Sequence, residues 1–193
     1  MDLKKGLSLT AFGFAFILIN LNLTFRGAAL NVTPDFIGWI MLAVAVDRLG
    51  SYTDGKKYLK IAALIMIVLS ASVWVLQITK PVYDISILTT VANVVSAAFM
   101  FIFFGCLELV ARDFESPREA TLRTLKILTL ALNIALVAAV PLHNAMELET
   151  FAVFFSVLGA IAIVTAIVTL IVLFKLKDEM NDKLDAPAAA EED

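Results

Sequence analysis

Residues 56–80 read KKYLKIAALIMIVLSASVWVLQITK, an uncharged apolar run that three lysines precede and one lysine follows. A helix that crosses the roughly 30 Å of bilayer hydrocarbon needs about 20 apolar residues. The run, residues 61–79, therefore predicts a transmembrane helix. Cytoplasmic loops carry the excess of Lys and Arg in membrane proteins, so the lysine-rich start of this helix predicts its cytoplasmic end.

The same pattern extends over the rest of the chain in both directions. Further runs without a charged residue cover residues 6–25, 36–46, 85–107, 127–146 and 150–174. Read as six helices, the runs leave 13 of the 15 Lys and Arg residues on one side, with Arg26 and Lys80 on the other. This division predicts an all-α integral membrane protein whose six transmembrane helices form three outward-pointing hairpins, with both termini in the cytoplasm.

The predicted organisation is one membrane domain, residues 1–176, followed by an acidic tail. The six helices are expected over about 7–25, 34–50, 59–79, 86–110, 122–140 and 150–174. Residues 177–193 include APAAAEED, have little to bury, and are expected to form a disordered cytoplasmic tail. The chain is 61% hydrophobic, above the roughly half of a soluble domain. Basic residues are spread over four segments rather than one face, so nucleic-acid binding is not predicted.

The start of the second predicted helix is the most distinctive local segment. Thr33 is a suitable N-cap, Pro34 suits the first helical position, and Asp35 lies in the first turn, where the helix dipole favours an anion. The sequence PDFIGW at 34–39, followed by an apolar run and Asp47-Arg48-Leu49, resembles the PDFIGY-type segment of small multi-pass membrane proteins of Gram-positive bacteria. That resemblance implies a bacterial plasma membrane and supplies no catalytic residues.

Asparagines within the apolar runs are the main candidates for a binding site, because polar groups are costly to place in lipid. Asn20, Asn93 and Asn133 are each five to seven residues from the outer end of their predicted helix. Side chains at that shared depth could line one polar pocket, or form hydrogen bonds between helices worth about 0.6 kcal/mol each. Arg26 and Asp35 flank the first outer turn and could contact a charged ligand or lipid headgroup.

Two further expectations concern how the helices are held together. Glu108 and Arg112 are four residues apart in the order that favours a salt bridge within one helix. Small residues recur at every fourth position in the last two predicted helices, which predicts that these helices pack closely. The positions are Ala131, Ala135 and Ala139 in the fifth helix, and Ser156 with Ala160 and Ala162 with Ala166 in the sixth.

The sequence indicates no enzyme activity, cofactor or metal, because it contains no HExxH, P-loop, GxSxG or cysteine-pair motif. Two function classes remain open, and the lack of charged residues near the middle of the membrane favours the first. One is a membrane-embedded accessory subunit that binds a partner membrane protein. The other is a small oligomeric permease or channel-like carrier for an uncharged or small polar solute. The expected surroundings are the lipid bilayer and either a partner protein or further copies of the chain.

Overall fold

The computed structural model describes residues 2–19, 22–25, 28–31, 34–53, 56–79, 86–145 and 147–189. Within these residues the chain forms six α-helices: α1 Asp2–Leu18, α2 Asp35–Arg48, α3 Lys56–Thr79, α4 Ser86–Asp113, α5 Glu119–Ala145 and α6 Leu148–Ala189. Two short strands, β1 Asn22–Phe25 and β2 Ala28–Asn31, lie between α1 and α2. A short 3₁₀ turn, Gly50–Tyr52, follows α2.

Four of the six helices contain stretches long and apolar enough to cross a membrane. Among the described residues these stretches are Lys57–Leu76, Ile87–Asp113, Glu119–Ala138 and Glu149–Asp185. The other two helices are shorter, since α1 has 17 residues and α2 has 14. The prediction of a helical chain with six helices is therefore confirmed, with four of them of spanning length and composition.

The first helix ends earlier than the sequence predicts. A helix was expected over 7–25, but α1 ends at Leu18 and residues 22–25 form strand β1. β1 pairs antiparallel with β2, with Asn22 opposite Asn31 and Phe25 opposite Ala28. The absence of charge in this run does not distinguish helix from strand. Asparagine is a poor helix former, and Thr24 and Phe25 are residues that favour strands.

The carboxyl-terminal segment also differs from the prediction. Residues 177–189 were expected to be disordered, but they continue α6 as far as Ala189. The extension has a buried side, on which Leu176 and Met180 are fully enclosed. Lys183 also donates a hydrogen bond to the carbonyl oxygen of Phe114, at the loop between α4 and α5. Packing against the bundle therefore stabilises this part of the helix, while residues 190–193 lie outside the described part.

The helices are arranged as a closed ring. Each helix packs against the next one along the chain, and α6 returns to pack against α1. Ion pairs join the start of α1 to the end of α6, the end of α2 to the start of α3, and the end of α4 to the start of α5. We call this end of the bundle the basic end, and the opposite end the far end.

Aromatic side chains from three helices form the centre of the core. Phe99 and Phe103 of α4 stack with ring centroids 5.2 Å apart, and Trp39 of α2 packs edge-on against Phe99 at 5.1 Å. Phe14 of α1 lies 5.5 Å from the ring of Phe104. α4 is consequently the most enclosed of the four long helices, with 50% of its apolar stretch buried against 17% for α3.

The first two helices cross at a pair of glycines, Gly13 in α1 and Gly38 in α2. A methyl group added at Gly38 would lie 2.5 Å from the carbonyl oxygen of Gly13 and 2.7 Å from a side-chain carbon of Ile17. Real carbon atoms do not approach so closely. The two backbones can therefore touch only because both positions lack a side chain, which is the packing that small residues permit in membranes.

The buried core lies mainly toward the basic end, and the far half of α6 packs little. Residues 152–157 are exposed on every side of the helix. The prediction that Ser156 and Ala160 form a packing face is therefore wrong, since both residues are exposed. The other small-residue face, Ala162 and Ala166, turns toward the interior instead, because α6 contacts the bundle mainly in its basic half.

Candidate functional site

A partly open cavity of about 140 Å³ lies between helices of the bundle, near the middle of α4, α5 and α6. Four helices line it. α1 contributes Phe14 and Leu18, α4 contributes Met100 and Phe104, and the remaining wall comes from α5 and α6. The α5 and α6 residues are Thr129, Leu132, Asn133, Leu136, Ala162, Thr165, Ala166 and Thr169. Most of this wall is apolar, with one amide and three hydroxyls.

The polar groups of the cavity lie on two facing helices. Thr129 and Asn133 are one turn apart on α5, and Thr165 and Thr169 are one turn apart on α6. The Asn133 side-chain nitrogen donates to the carbonyl oxygen of Thr129 at 2.8 Å. The Thr165 hydroxyl donates to the carbonyl oxygen of Ile161 at 2.8 Å. Each side chain thus donates one hydrogen bond within its own helix, and its oxygen can still accept a hydrogen bond from another group.

Asn133 also borders a second space, a groove of about 490 Å³ between α4 and α5. The groove lies toward the far end and is lined by apolar side chains, among them the exposed Val94 and Ile134. Ala97 and Ala98 form part of its wall. One amide therefore lies between the interior cavity and a groove that opens on the outer surface of the helices.

The structure assembles only part of the predicted site. Asn133 reaches the cavity, whereas Asn93 is half-buried on α4 and lines neither the cavity nor the groove. Asp35 is half-buried at the first position of α2. Asn20 and Arg26 lie outside the described residues. The polar side chains that line the cavity with Asn133 are three threonines, Thr129, Thr165 and Thr169, which the sequence analysis does not identify.

A detectable signal for those threonines was present in the sequence. Thr129 and Asn133 are spaced i,i+4 in one apolar run, and Thr165 and Thr169 have the same spacing in another. This spacing places each pair on one face of a helix. Matching the two pairs across two helices needs the tertiary structure, because the sequence does not state which faces of α5 and α6 meet.

The basic end is closed by ion pairs between helices. The Glu108 carboxylate of α4 accepts hydrogen bonds from Arg123 at 2.7 Å and from Lys126 at 2.6 Å, both on α5. The predicted salt bridge from Glu108 to Arg112 is therefore wrong. Arg112 instead approaches Asp113 at 4.0 Å. Two cations from a neighbouring helix offer Glu108 better geometry than one exposed arginine on its own helix.

A second carboxylate fastens the loop between α4 and α5 to α6. Glu179 accepts a hydrogen bond from the Ser116 hydroxyl at 2.9 Å, and Arg118 lies 3.2 Å from the same oxygen. Lys183 approaches its other oxygen at 3.2 Å. Glu115 adopts a positive φ of 51°, so the loop turns sharply here. Together with the Glu108 contacts, this network joins α4, α5 and α6 at the basic end.

The described residues contain no group of three or more His, Cys, Asp and Glu side chains close enough to share a metal ion. Comparisons with protein-family models, with curated proteins and with solved structures find no match to the chain. The cavity and its acceptors are therefore the basis for assigning a function.

Proposed function

We propose that this chain is a non-enzymatic, six-pass plasma-membrane protein that binds a small uncharged molecule in its interior cavity and carries it across the membrane. The observation that carries the proposal is the cavity itself, which four helices line and which contains one amide and three hydroxyls. Polar groups at that depth are costly unless they serve packing or function. A concave, mostly apolar space with a few convergent polar groups is the usual form of a small-molecule site.

The short first two helices are compatible with two crossings if the β-hairpin completes them. The uncharged part of α1, residues 6–18, is about 20 Å long, and that of α2, residues 36–46, about 17 Å. Each strand adds about 13 Å. Helix and strand together match the roughly 30 Å of hydrocarbon. The hairpin then lies in the outer leaflet, and both termini lie in the cytoplasm with most of the Lys and Arg residues.

A hairpin at that depth needs protein around its edges, because unpaired backbone groups are not tolerated in lipid. One strand, β2, packs against α3. The cavity is lined in part by Leu18, the last residue of α1. In this arrangement the ion pairs close the cytoplasmic side of the bundle, and the cavity faces the outer leaflet through the groove at Asn133.

The cavity defines the chemical class of the ligand. A volume of about 140 Å³ suits a molecule of benzene size. Asn133 and Thr165 each donate one hydrogen bond within their own helix, and their side-chain oxygens can still accept a hydrogen bond from a ligand. The expected ligand is therefore uncharged, mostly apolar, and carries a single hydroxyl or amide donor.

The test uses phenol as the probe and two variants of α6, in each of which leucine replaces an alanine. Ala166→Leu fills the cavity, whereas Ala160→Leu makes the same change at an exposed position six residues away. We expect wild-type protein in nanodiscs to bind phenol by ligand-observed NMR, and to increase phenol flux in proteoliposomes. Ala160→Leu should retain both activities, and Ala166→Leu should lose at least about tenfold in affinity, because the added side chain occupies the ligand volume.

Equal binding and flux in the two variants would contradict the proposal, because the cavity would then have no part in either. Binding that Ala166→Leu removes, without any flux in the wild-type protein, would reduce the carrier to a binding protein.

A second candidate, an accessory subunit that binds another membrane protein, has its own support. Residues 152–157 of α6 are exposed on every side, and Val153 and Val157 are more than half exposed. A helix that leaves its bundle offers a free face to a partner helix. If this is the function, Val157→Trp should release a co-purified membrane protein from native membranes, while Ile65→Trp, an equally apolar change on α3, should retain it.

A further inference from the structure

A groove of about 510 Å³ lies at the basic end, where the start of α1 meets the end of α6. It is separate from the interior cavity. Its lining residues are Lys4, Lys5, Ser8, Leu9, Phe12, Asn181 and Asp185. The groove therefore has a polar, positively charged part near the chain termini and an apolar part deeper along α1.

The polar part has unused binding capacity for an anion. Lys4 forms an ion pair with Asp185, but Lys5 has no acidic partner among the described residues. Two lysines against one aspartate leave an excess of positive charge in the groove. The Ser8 hydroxyl lies one turn further along α1 from Lys4 and can donate a hydrogen bond to the same anion.

The deeper part of the groove is apolar. Phe12 packs edge-on against Phe174 of α6, with ring centroids 5.4 Å apart. The Lys177 ammonium lies 5.3 Å above the ring of Phe174, which marks a border between charged and apolar surface. A ligand that fills the whole groove therefore has a polar head and an apolar chain.

On the topology proposed above, we propose that this groove binds an anionic glycerophospholipid of the cytoplasmic leaflet, such as phosphatidylglycerol. Its phosphate lies between Lys4, Lys5 and Ser8, and an acyl chain follows Leu9 and Phe12. Lysines near the membrane surface each favour anionic lipid about fivefold, so the two lysines give a measurable preference.

The test compares charge reversals at two exposed lysines of the basic end. Lys5→Glu alters the groove, and Lys57→Glu makes the same charge change on α3, outside it. The full chain is reconstituted in equal mixtures of phosphatidylglycerol and phosphatidylcholine, and retained lipid is counted by native mass spectrometry. We expect the wild type and Lys57→Glu to retain one phosphatidylglycerol, and Lys5→Glu to retain about tenfold less. Equal retention in all three overturns the proposal.

Two further arms separate the lipid from other sources of the same chemistry. Ser8→Ala leaves the charge unchanged and should still lower phosphatidylglycerol retention severalfold, because the phosphate loses a hydrogen-bond donor. Unchanged retention would overturn the role of Ser8. Glycerol phosphate added to protein in phosphatidylcholine alone should not raise the thermal unfolding temperature. A rise that Lys5→Glu removes would overturn the lipid assignment in favour of a soluble phosphate ester.

Discussion

Glu108 shows how a single residue joins two helices at the basic end. Its carboxylate accepts hydrogen bonds from both Arg123 and Lys126, and its side chain is only 14% exposed. A largely enclosed charge depends on its partners, because removing either side of the ion pair leaves the opposite charge uncompensated. The contact between α4 and α5 at this end therefore depends on Glu108 more than on the exposed pairs around it.

Replacing this carboxylate should measurably weaken the bundle. We expect Glu108→Gln to lower the free energy of unfolding by about 1–3 kcal/mol, because two charge-assisted hydrogen bonds are lost. Glu119→Gln is the matched control, since among the described residues Glu119 pairs only with Arg123 on its own helix, and its loss should cost about 0–1 kcal/mol. Thermal unfolding of both variants in detergent measures the difference. Equal shifts would show that the link between α4 and α5 at Glu108 contributes nothing special.

At this scale the sequence predicts which residues matter better than it predicts their partners. Glu108 and Asn133 were both identified as notable from their position near or within apolar runs. The partner predicted for Glu108 was Arg112, whereas the structure supplies Arg123 and Lys126. Local spacing favours partners in the same helix, and the competing partners are 15 and 18 residues away along the chain.

Among the helices, the contact of α1 with α2 depends on a pair of glycines rather than on large side chains. The carbonyl of Gly13 faces Gly38, and the carbonyl of Gly38 faces Gly13. The surrounding residues include Leu42 and Ile17, which fill the space beside the crossing. The two shortest helices thus approach each other more closely than ordinary side chains permit.

A methyl group at this crossing should force the two helices apart. We expect Gly38→Ala to destabilise the protein by about 1–3 kcal/mol, since the added carbon would overlap the backbone of α1. Gly159→Ala is the control, because no atom lies within 4 Å of the position that its methyl would take. That change should be neutral or stabilising by up to about 1 kcal/mol, as alanine is the better helix former.

Unfolding temperatures in the same detergent provide the comparison. Similar behaviour of Gly38→Ala and Gly159→Ala would mean that the close crossing of α1 and α2 is not needed for stability.

Charge-free runs predict the long helices well and the first crossing poorly. α3 was expected over 59–79 and covers Lys56–Thr79, and α4 was expected over 86–110 and covers Ser86–Asp113. The first run has no charge through residue 25, yet its helix stops at Leu18. Hydropathy reports only that a segment avoids water. It does not distinguish a helix from a helix followed by a strand.

For the whole molecule, the proposed topology can be tested by cysteine labelling. The only native cysteine, Cys106, is buried and should not react. With a membrane-impermeant maleimide on intact cells, we expect Gly27→Cys to label from outside, because the proposed topology places the hairpin at the outer surface. Glu115→Cys and Asp182→Cys should label only after the membrane is opened, because their loop and helix end carry the basic residues.

Two other labelling patterns would contradict this topology. Protection of Gly27→Cys on intact cells, with labelling after opening, would make α1 and α2 a re-entrant pair that enters and leaves from the cytoplasm. Labelling of Glu115→Cys from outside would reverse the orientation of α4 and α5. The charge division of the sequence does not separate the six-pass and re-entrant forms, because both return the chain to the same side.

The closure of the ring by α6 against α1 has a consequence for how the protein is made. Val172 and Leu176 enter the same core as Phe14, but ribosomes add them more than 150 residues later. At about 5–20 residues per second, α1 is synthesised roughly ten to thirty seconds before the part of α6 that packs against it. During that interval one face of α1 has no partner from its own chain. Translation that stops before α6 leaves this face open to membrane proteases and chaperones.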